Sequence, residues 1–363
     1  MKTRRQTNKI SLLKAIFCSI ILLSVMSCGG GNTATSKLFD IKLEGNKNTF
    51  KQNETIKIQL INKKNKTVDK ISYFIDEKEL IVTNNTITLD IPNLGNKTLV
   101  AKIKYDNSSE ELGIISKKIK VLAPKGPDVY TYEIINEYPH DIGAYTQGLE
   151  FYKDTLYEST GKRGVSSLRK VNYKTGEVLR KTALDSIYFG EGITILNDKI
   201  YQLTWQNKTG FIYDVTDFKK EGDFQYNQSK EGWGLCNNGE KIFKSDGTEK
   251  IWILNPDTLI EESYIETVTN KSIFNKANEL EYVDRKIYAN VYQKESMMII
   301  DPISGAIEGV INFGGLKNKV KKGGNWDDNN SVFNGVAYHP TKKTFFVTGK
   351  NWDKLFEVQI KKK

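Results

Sequence analysis

Histidine and cysteine are nearly absent from this 363-residue sequence: the imidazoles are His140 and His339, and the cysteines are Cys18, Cys28 and Cys236. Zinc is usually held by several His, Cys or carboxylate ligands, so an ordinary zinc site is not expected. Cys18 and Cys28 fall in what reads as a leader, which leaves Cys236 alone and rules out a disulfide framework within the chain. No arginine cluster or basic helix accompanies the formal charge of +10, so nucleic acid is not an expected partner. The excess is lysine scattered as on a solvated surface. The apolar run at residues 10–25 is too short to serve comfortably as a membrane span.

That run has a different reading. Lys2, Arg4, Arg5 and Lys9 precede it, and Val25-Met26-Ser27-Cys28-Gly29 follows it. Residues 1–27 therefore read as a secretory signal peptide. A small residue followed by Cys resembles a bacterial lipobox, in which Cys28 becomes the lipidated first residue. Cleavage removes five positive charges and no acids, taking the net charge from +10 to +5. The expectation is a monomer, lipid-anchored through a polar tether at residues 28–37 to a membrane of the bacterial cell envelope, on its periplasmic side.

Residues 38–123 alternate with a period of two. Ile56, Ile58 and Leu60 alternate with Lys57 and Gln59, and Leu99, Ala101, Ile103 and Tyr105 with Val100, Lys102 and Lys104. Polar turns separate these runs, which suggests a small β-sandwich, immunoglobulin-like in general form. Residues 124–128, PKGPD, then make a stiff linker.

Residues 129–363 repeat. Hairpins open at Gly148, Gly192, Gly234, Glu279 and Gly335, at intervals of 44, 42, 45 and 56, the last stretched by a Gly/Asn/Lys-rich insertion around 314–331. Intervals of about 45 with roughly four strands each are blade-sized, so the reading is an all-β chain: a five-bladed β-propeller preceded by the small sandwich. Residues 129–137 would supply an outer strand to the last blade and hide both edges.

In YFGEGITIL, residues 188–196, a lone carboxylate stands between two glycines. Aligning the repeats places Glu191 in a set with Gln147, Trp233, Asn278 and Asn334, each just before a hairpin opening, where the innermost strands would border one mouth of a central channel. The second strands return to the same rim at Gly161, Trp205, Gly247, Tyr292 and Gly349, with Lys162 and Lys350 just after. One carboxylate, several amides, ammonium groups and aromatics in one concave place suit a small polar substrate. Each member also has an ordinary explanation. Trp205, Trp233 and Trp352 could pack between blades, Asn278 and Asn334 could cap strand starts, and Lys350 could be solvated.

The segments TQGLEF, LYESTG, YFGEGIT, YQLTW, EGWGL, SDG, NELEYV, ANV, NGVAY and VTGKNW occur in this order over about residues 135–360. Together they resemble the plant-type glutamine cyclotransferases. The resemblance implies a five-bladed propeller that converts N-terminal glutamine of peptides or proteins into pyroglutamate with release of ammonia, without a catalytic zinc or required cofactor. It implies Glu191 as the proton-transferring carboxylate, with Lys350 and Asn278 on the substrate's reacting end. Gln147 would add a polar contact, and Trp205 and Trp233 would wall the pocket. Two positions depart from the family pattern, Tyr145 where Phe is usual and Tyr292 where Trp is usual, so an altered pocket polarity is expected. Family members can carry a structural metal ion, for which no ligand set is legible here. The alternative from another class is a non-catalytic propeller lipoprotein that binds peptides or glycans at the same rim. A metal-dependent propeller hydrolase is disfavoured because the ring holds one acid, Glu191.

Overall fold

The computed structural model describes residues 33–106 and 112–363, so Cys28 and the signal sequence lie outside the described residues. The chain is all-β, in two parts. In the first, a three-stranded antiparallel sheet (Phe39–Leu43, Thr55–Asn62 and Thr86–Thr88) shares one core with a five-stranded sheet. The five-stranded sheet runs Thr49–Lys51, Gly113–Leu122, Gly95–Tyr105, Val68–Ile75 and Lys78–Leu80. The period-two pattern does what alternation requires: Ile56, Ile58, Leu99, Ala101 and Ile103 are buried, while the lysines between them lie outside. The tether is shorter than the sequence suggests. Residues Thr33–Leu38 form a short helix, because Thr35 packs into the space left by Gly113 beside Tyr105.

The second part consists of hairpins each extended outward by further strands. Three four-stranded antiparallel sheets come first, Thr146–Tyr152 through Glu177–Ala183, Gly190–Leu196 through Lys220–Gln225, and Leu235–Asn237 through Glu261–Glu266. A fourth set, Ala277–Val283 through Ile307–Asn312, is joined by a parallel pairing to the strand Asp128–Pro139. That strand pairs in turn with the last strand, Lys354–Lys362, from Lys354 opposite Pro139 to Lys362 opposite Tyr130. The start of this part thus completes the sheet that ends the chain, as residues 129–137 were expected to do.

The first strands of the five hairpins neighbour one another in cyclic order, the fifth (Phe333–His339) lying beside the first. Glycine makes that approach possible. A Cβ on Gly192 would lie 2.6 Å from Gly234 Cα, and one on Gly234 would lie 2.1 Å from the Asn278 carbonyl oxygen. In the fourth hairpin the equivalent residue is Glu279, whose carboxylate accepts backbone N–H groups from Leu149 (3.1 Å) and Val336 (2.9 Å) on two other first strands. A side chain there stitches strands that glycine elsewhere lets touch.

Candidate active site

Four of the five first strands carry a register break at one place. Pairing is interrupted between Thr146 and Gly148, Gly190 and Ile193, Ala277 and Leu280, and Phe333 and Val336. A bulge inserts an unpaired residue and re-aims its side chain. The residues so re-aimed are Gln147, Glu191, Asn278 and Asn334. Glu191 was anomalous for this reason: the glycines flank a bulge that turns its carboxylate out of strand alternation.

Three of them, Gln147, Glu191 and Asn278, meet at a cavity of about 420 Å³. Gln147, Glu191 and Asn278 reach it from the first strands, Trp233 from just before the third, and Trp205, Tyr292 and Lys350 from the ends of second strands. Tyr145, Lys162, Phe189 and Asn351 complete the inner wall. The size suits a small ligand.

Glu191 is 4% exposed and Lys350 3%. Burial holds the Glu191 carboxyl well above the usual carboxylate range, against the pull of Lys350 and the Gln147 hydrogen bond, while Glu231 pushes the same way as burial. Burial also pulls the Lys350 ammonium down from 10.5 to about 8, Glu191 opposing and Lys162 adding to the fall. Burial thus raises the acid and lowers the base, the directions that suit a proton-transferring pair. The Lys350 Nζ lies 4.8 Å from the Tyr145 ring centroid and 5.3 Å from that of Tyr292. The two residues that depart from the family pattern thus face the cation from two sides, an arrangement aromatic faces favour.

The tryptophan walls share one anchor. Glu231 Oε2 accepts the indole N–H of Trp205 at 2.7 Å and of Trp233 at 2.9 Å. Rim glycines are the seats for aromatic rings: a Cβ at Gly161 would come within 2.3 Å of Phe189, and one at Gly247 within 2.4 Å of Trp233. Behind Asn278 runs a chain of amides. Its Nδ2 donates to Asn334 Oδ1 (2.8 Å), which also takes Asn290 Nδ2 (3.0 Å), and Asn334 Nδ2 donates to the Thr146 carbonyl (2.8 Å).

Residues 108–360 match a sequence model of the glutamine cyclotransferase family. The chain belongs to that family. It is 38% identical over 231 residues to a glutaminyl-peptide cyclotransferase of Arabidopsis thaliana, covering 63% of this chain and 71% of that one. It also resembles the crystal structure of Myxococcus xanthus glutaminyl cyclase, with a TM-score of 0.61 and 32% identity over 65% of this chain and 99% of that one. Most of the N-terminal part lies outside the family match.

Two expected contacts are corrected by the structure. Trp352 is fully buried and does not reach the cavity: its ring lies across Gly349, packs on Phe333 and Phe356, and donates to the Ser331 carbonyl at 3.3 Å. Asn334 is also fully buried and supports Asn278 from behind. Conversely, the insertion contributes Asn325, Asp327 and Asn330 to the cavity wall, and Phe189 and Glu231 had passed unnoticed. Glu231 stands two residues before Trp233 in EGWGL, which was the available signal. Deeper in, Glu150 and Glu279 spend their carboxylates on backbone N–H groups. Among the described residues no three His, Cys, Asp or Glu side chains are placed to hold a metal ion.

Proposed function

We propose that this chain converts N-terminal glutamine of peptides or proteins into pyroglutamate, releasing ammonia, with Glu191 as the proton carrier. The observation that carries the reading is the buried Glu191–Lys350 pair in one cavity walled by Trp205 and Trp233. Cyclisation needs the substrate's α-amino nitrogen to attack its own side-chain amide carbon. A C–N bond closes the lactam, the amide C–N bond breaks, and one proton must pass from the attacking nitrogen to the departing one. A carboxyl raised above its usual range can take it and return it, a contribution of roughly 10²–10⁴-fold. Asn278 and the Lys350 ammonium supply N–H donors for the charge that develops on the carbonyl oxygen. The indole walls exclude water and hold the glutamine curled for attack. No step is routed through a metal or cofactor.

We read the five cyclically neighbouring sheets as the blades of a five-bladed β-propeller at residues 129–363. The two-sheet part at 38–123 reads as an immunoglobulin-like sandwich, joined through a linker at 124–128. The leader pattern supports cleavage after residue 27, lipidation of Cys28 and display of a monomer at the bacterial envelope, on the periplasmic side. The deciding assay is ammonia release from a Gln-Xaa dipeptide, with and without EDTA. Saturable binding without ammonia would make the protein a peptide-binding module instead, and loss of activity in EDTA would reinstate a metal.

A further inference from the structure

The segment Tyr138-Pro139-His140-Asp141 belongs to a group of charges, buried except at Asp141, that the reaction above does not use. His140 Nδ1 lies 2.8 Å from the Trp352 carbonyl oxygen, and Nε2 lies 3.0 Å from Glu158 Oε1. A carbonyl only accepts, so Nδ1 carries hydrogen. Glu158 Oε1 already accepts the Thr146 hydroxyl at 2.7 Å, and Arg169 Nη1 stands 3.7 Å from Glu158 Oε2, both of which favour the ionised carboxylate. Nε2 must then donate as well, and the ring is an imidazolium. Thr348 Oγ1, 3.5 Å from Nδ1, gives its own hydrogen to the Lys354 carbonyl and presents only a lone pair. Asp141, 2.8 Å from Arg169, completes a set of two cations and two anions. Burial works against the imidazolium, but the Glu158 charge and hydrogen bond outweigh it, and the ring stays above its ordinary value.

The clamp grips two segments that meet at Lys350. Through Trp352 and Thr348 it brackets the turn Gly349-Lys350-Asn351, where Asn351 has φ +60° and its N–H donates to the Ala144 carbonyl at 2.7 Å. Through Glu158 it holds Thr146, the neighbour of Gln147 and of Tyr145, whose ring faces the Lys350 ammonium.

We propose that His140 is a positioning residue: the His140–Glu158 ion pair fixes the turn that carries Lys350 against the strand start that carries Tyr145 and Gln147. This rests on the reading of Glu191 and Lys350 as the reacting pair. Because the chain has two histidines, ¹⁵N-histidine labelling of the mature protein gives two ring systems, assigned with His339→Gln. The His140 ring is expected to be doubly protonated at pH 7.5, and a neutral ring at that pH overturns the proposal. His140→Gln keeps one donor and removes the cation. Its kcat on a Gln-initiated peptide is expected to fall about 10–100-fold with a smaller change in KM, and the alkaline limb of its pH profile to move. Glu158→Gln should act in the same direction. Normal kcat and an unchanged limb in folded His140→Gln, with the wild type active, overturn the positioning role alone. If His140→Gln does not fold, the wild-type ring spectrum decides. A wild type that releases no ammonia overturns the reaction reading and the positioning role together.

Discussion

Replacing Glu191 with glutamine separates the charge of this side chain from its shape. The amide has nearly the same size and can keep the Gln147 contact, so the cavity should persist. What disappears is the proton carrier, and kcat should drop by about 10²–10⁴. A second loss follows at alkaline pH. Burial already brings Lys350 down to about 8, and Glu191 is the group that opposes the fall. Without it, the ammonium is lost at lower pH, and the residual activity of Glu191→Gln should decline earlier than that of the parent. Stability moves the other way. A carboxyl whose folded value lies above its unfolded one contributes stability below the ordinary carboxylate range, and that contribution is lost as pH rises through the raised folded value. Glutamine has no such titration, so the variant should melt higher than the parent at pH 8 and alongside it near pH 4. Coupled ammonia release measures the first effect, and calorimetry at the two pH values the second. Turnover within threefold of the parent would refute proton transfer by Glu191. Equal melting at pH 8 would refute the claim that burial opposes its ionisation.

Four further substitutions test other parts of the site and of the fold around it. Lys350→Arg cannot lose its charge below about pH 12, so the alkaline limb of kcat/KM near pH 8 should disappear while the rate falls, because a planar fork replaces a point charge. Glu231→Ala frees both indole N–H groups; KM for a Gln peptide should rise about tenfold, or about 1.4 kcal/mol, with altered tryptophan emission. Gly234→Ala drives a Cβ to 2.1 Å from a backbone carbonyl that cannot move aside, at a cost above about 4 kcal/mol and with loss of soluble protein. Gly239→Ala, which meets nothing within 4 Å but sits at φ +89°, should cost only about 1–2 kcal/mol in chemical denaturation.

The hairpins were legible because each carries a complete local signal: an apolar run, a short turn (two residues in three of them, such as Asn197-Asp198 with both at positive φ), and a second apolar run. The N-terminal sheets were legible for the same reason, from alternation alone. The aim of the site side chains was not. A bulge is a mismatch between two strands, and nothing in YFGEGITIL states that two residues there face only one opposite. Contributions from the insertion were hidden because Asn325, Asp327 and Asn330 reach the cavity only once the loop has packed. Trp352 shows why composition at a rim misleads. Gly161, Gly247 and Gly349 are all seats for rings, and Phe189, Trp233 and Trp352 fill them. Two of those rings turn a face to the cavity and the third is enclosed by Phe333 and Phe356. Sequence identifies the seat; only the surrounding packing decides whether its occupant meets a ligand.

The site and the fold make opposing demands on the same residues. Holding Lys350 down to about 8 implies a penalty of roughly 3 kcal/mol on its charged form, and Glu191 bears a further one, both in a region the inner strands must close. The clustering of hydrogen bonds immediately behind these groups is then intelligible. The amide chain through Asn278, Asn334 and Asn290, the carboxylate of Glu279 across two strands and the Glu231 anchor of two indoles are all satisfied contacts one layer from the unfavourable charges. A bulged strand that loses ladder pairs at the mouth recovers partners through these side chains, so the distortion that aims Glu191 and Asn278 is supported by polar contacts rather than left to apolar packing.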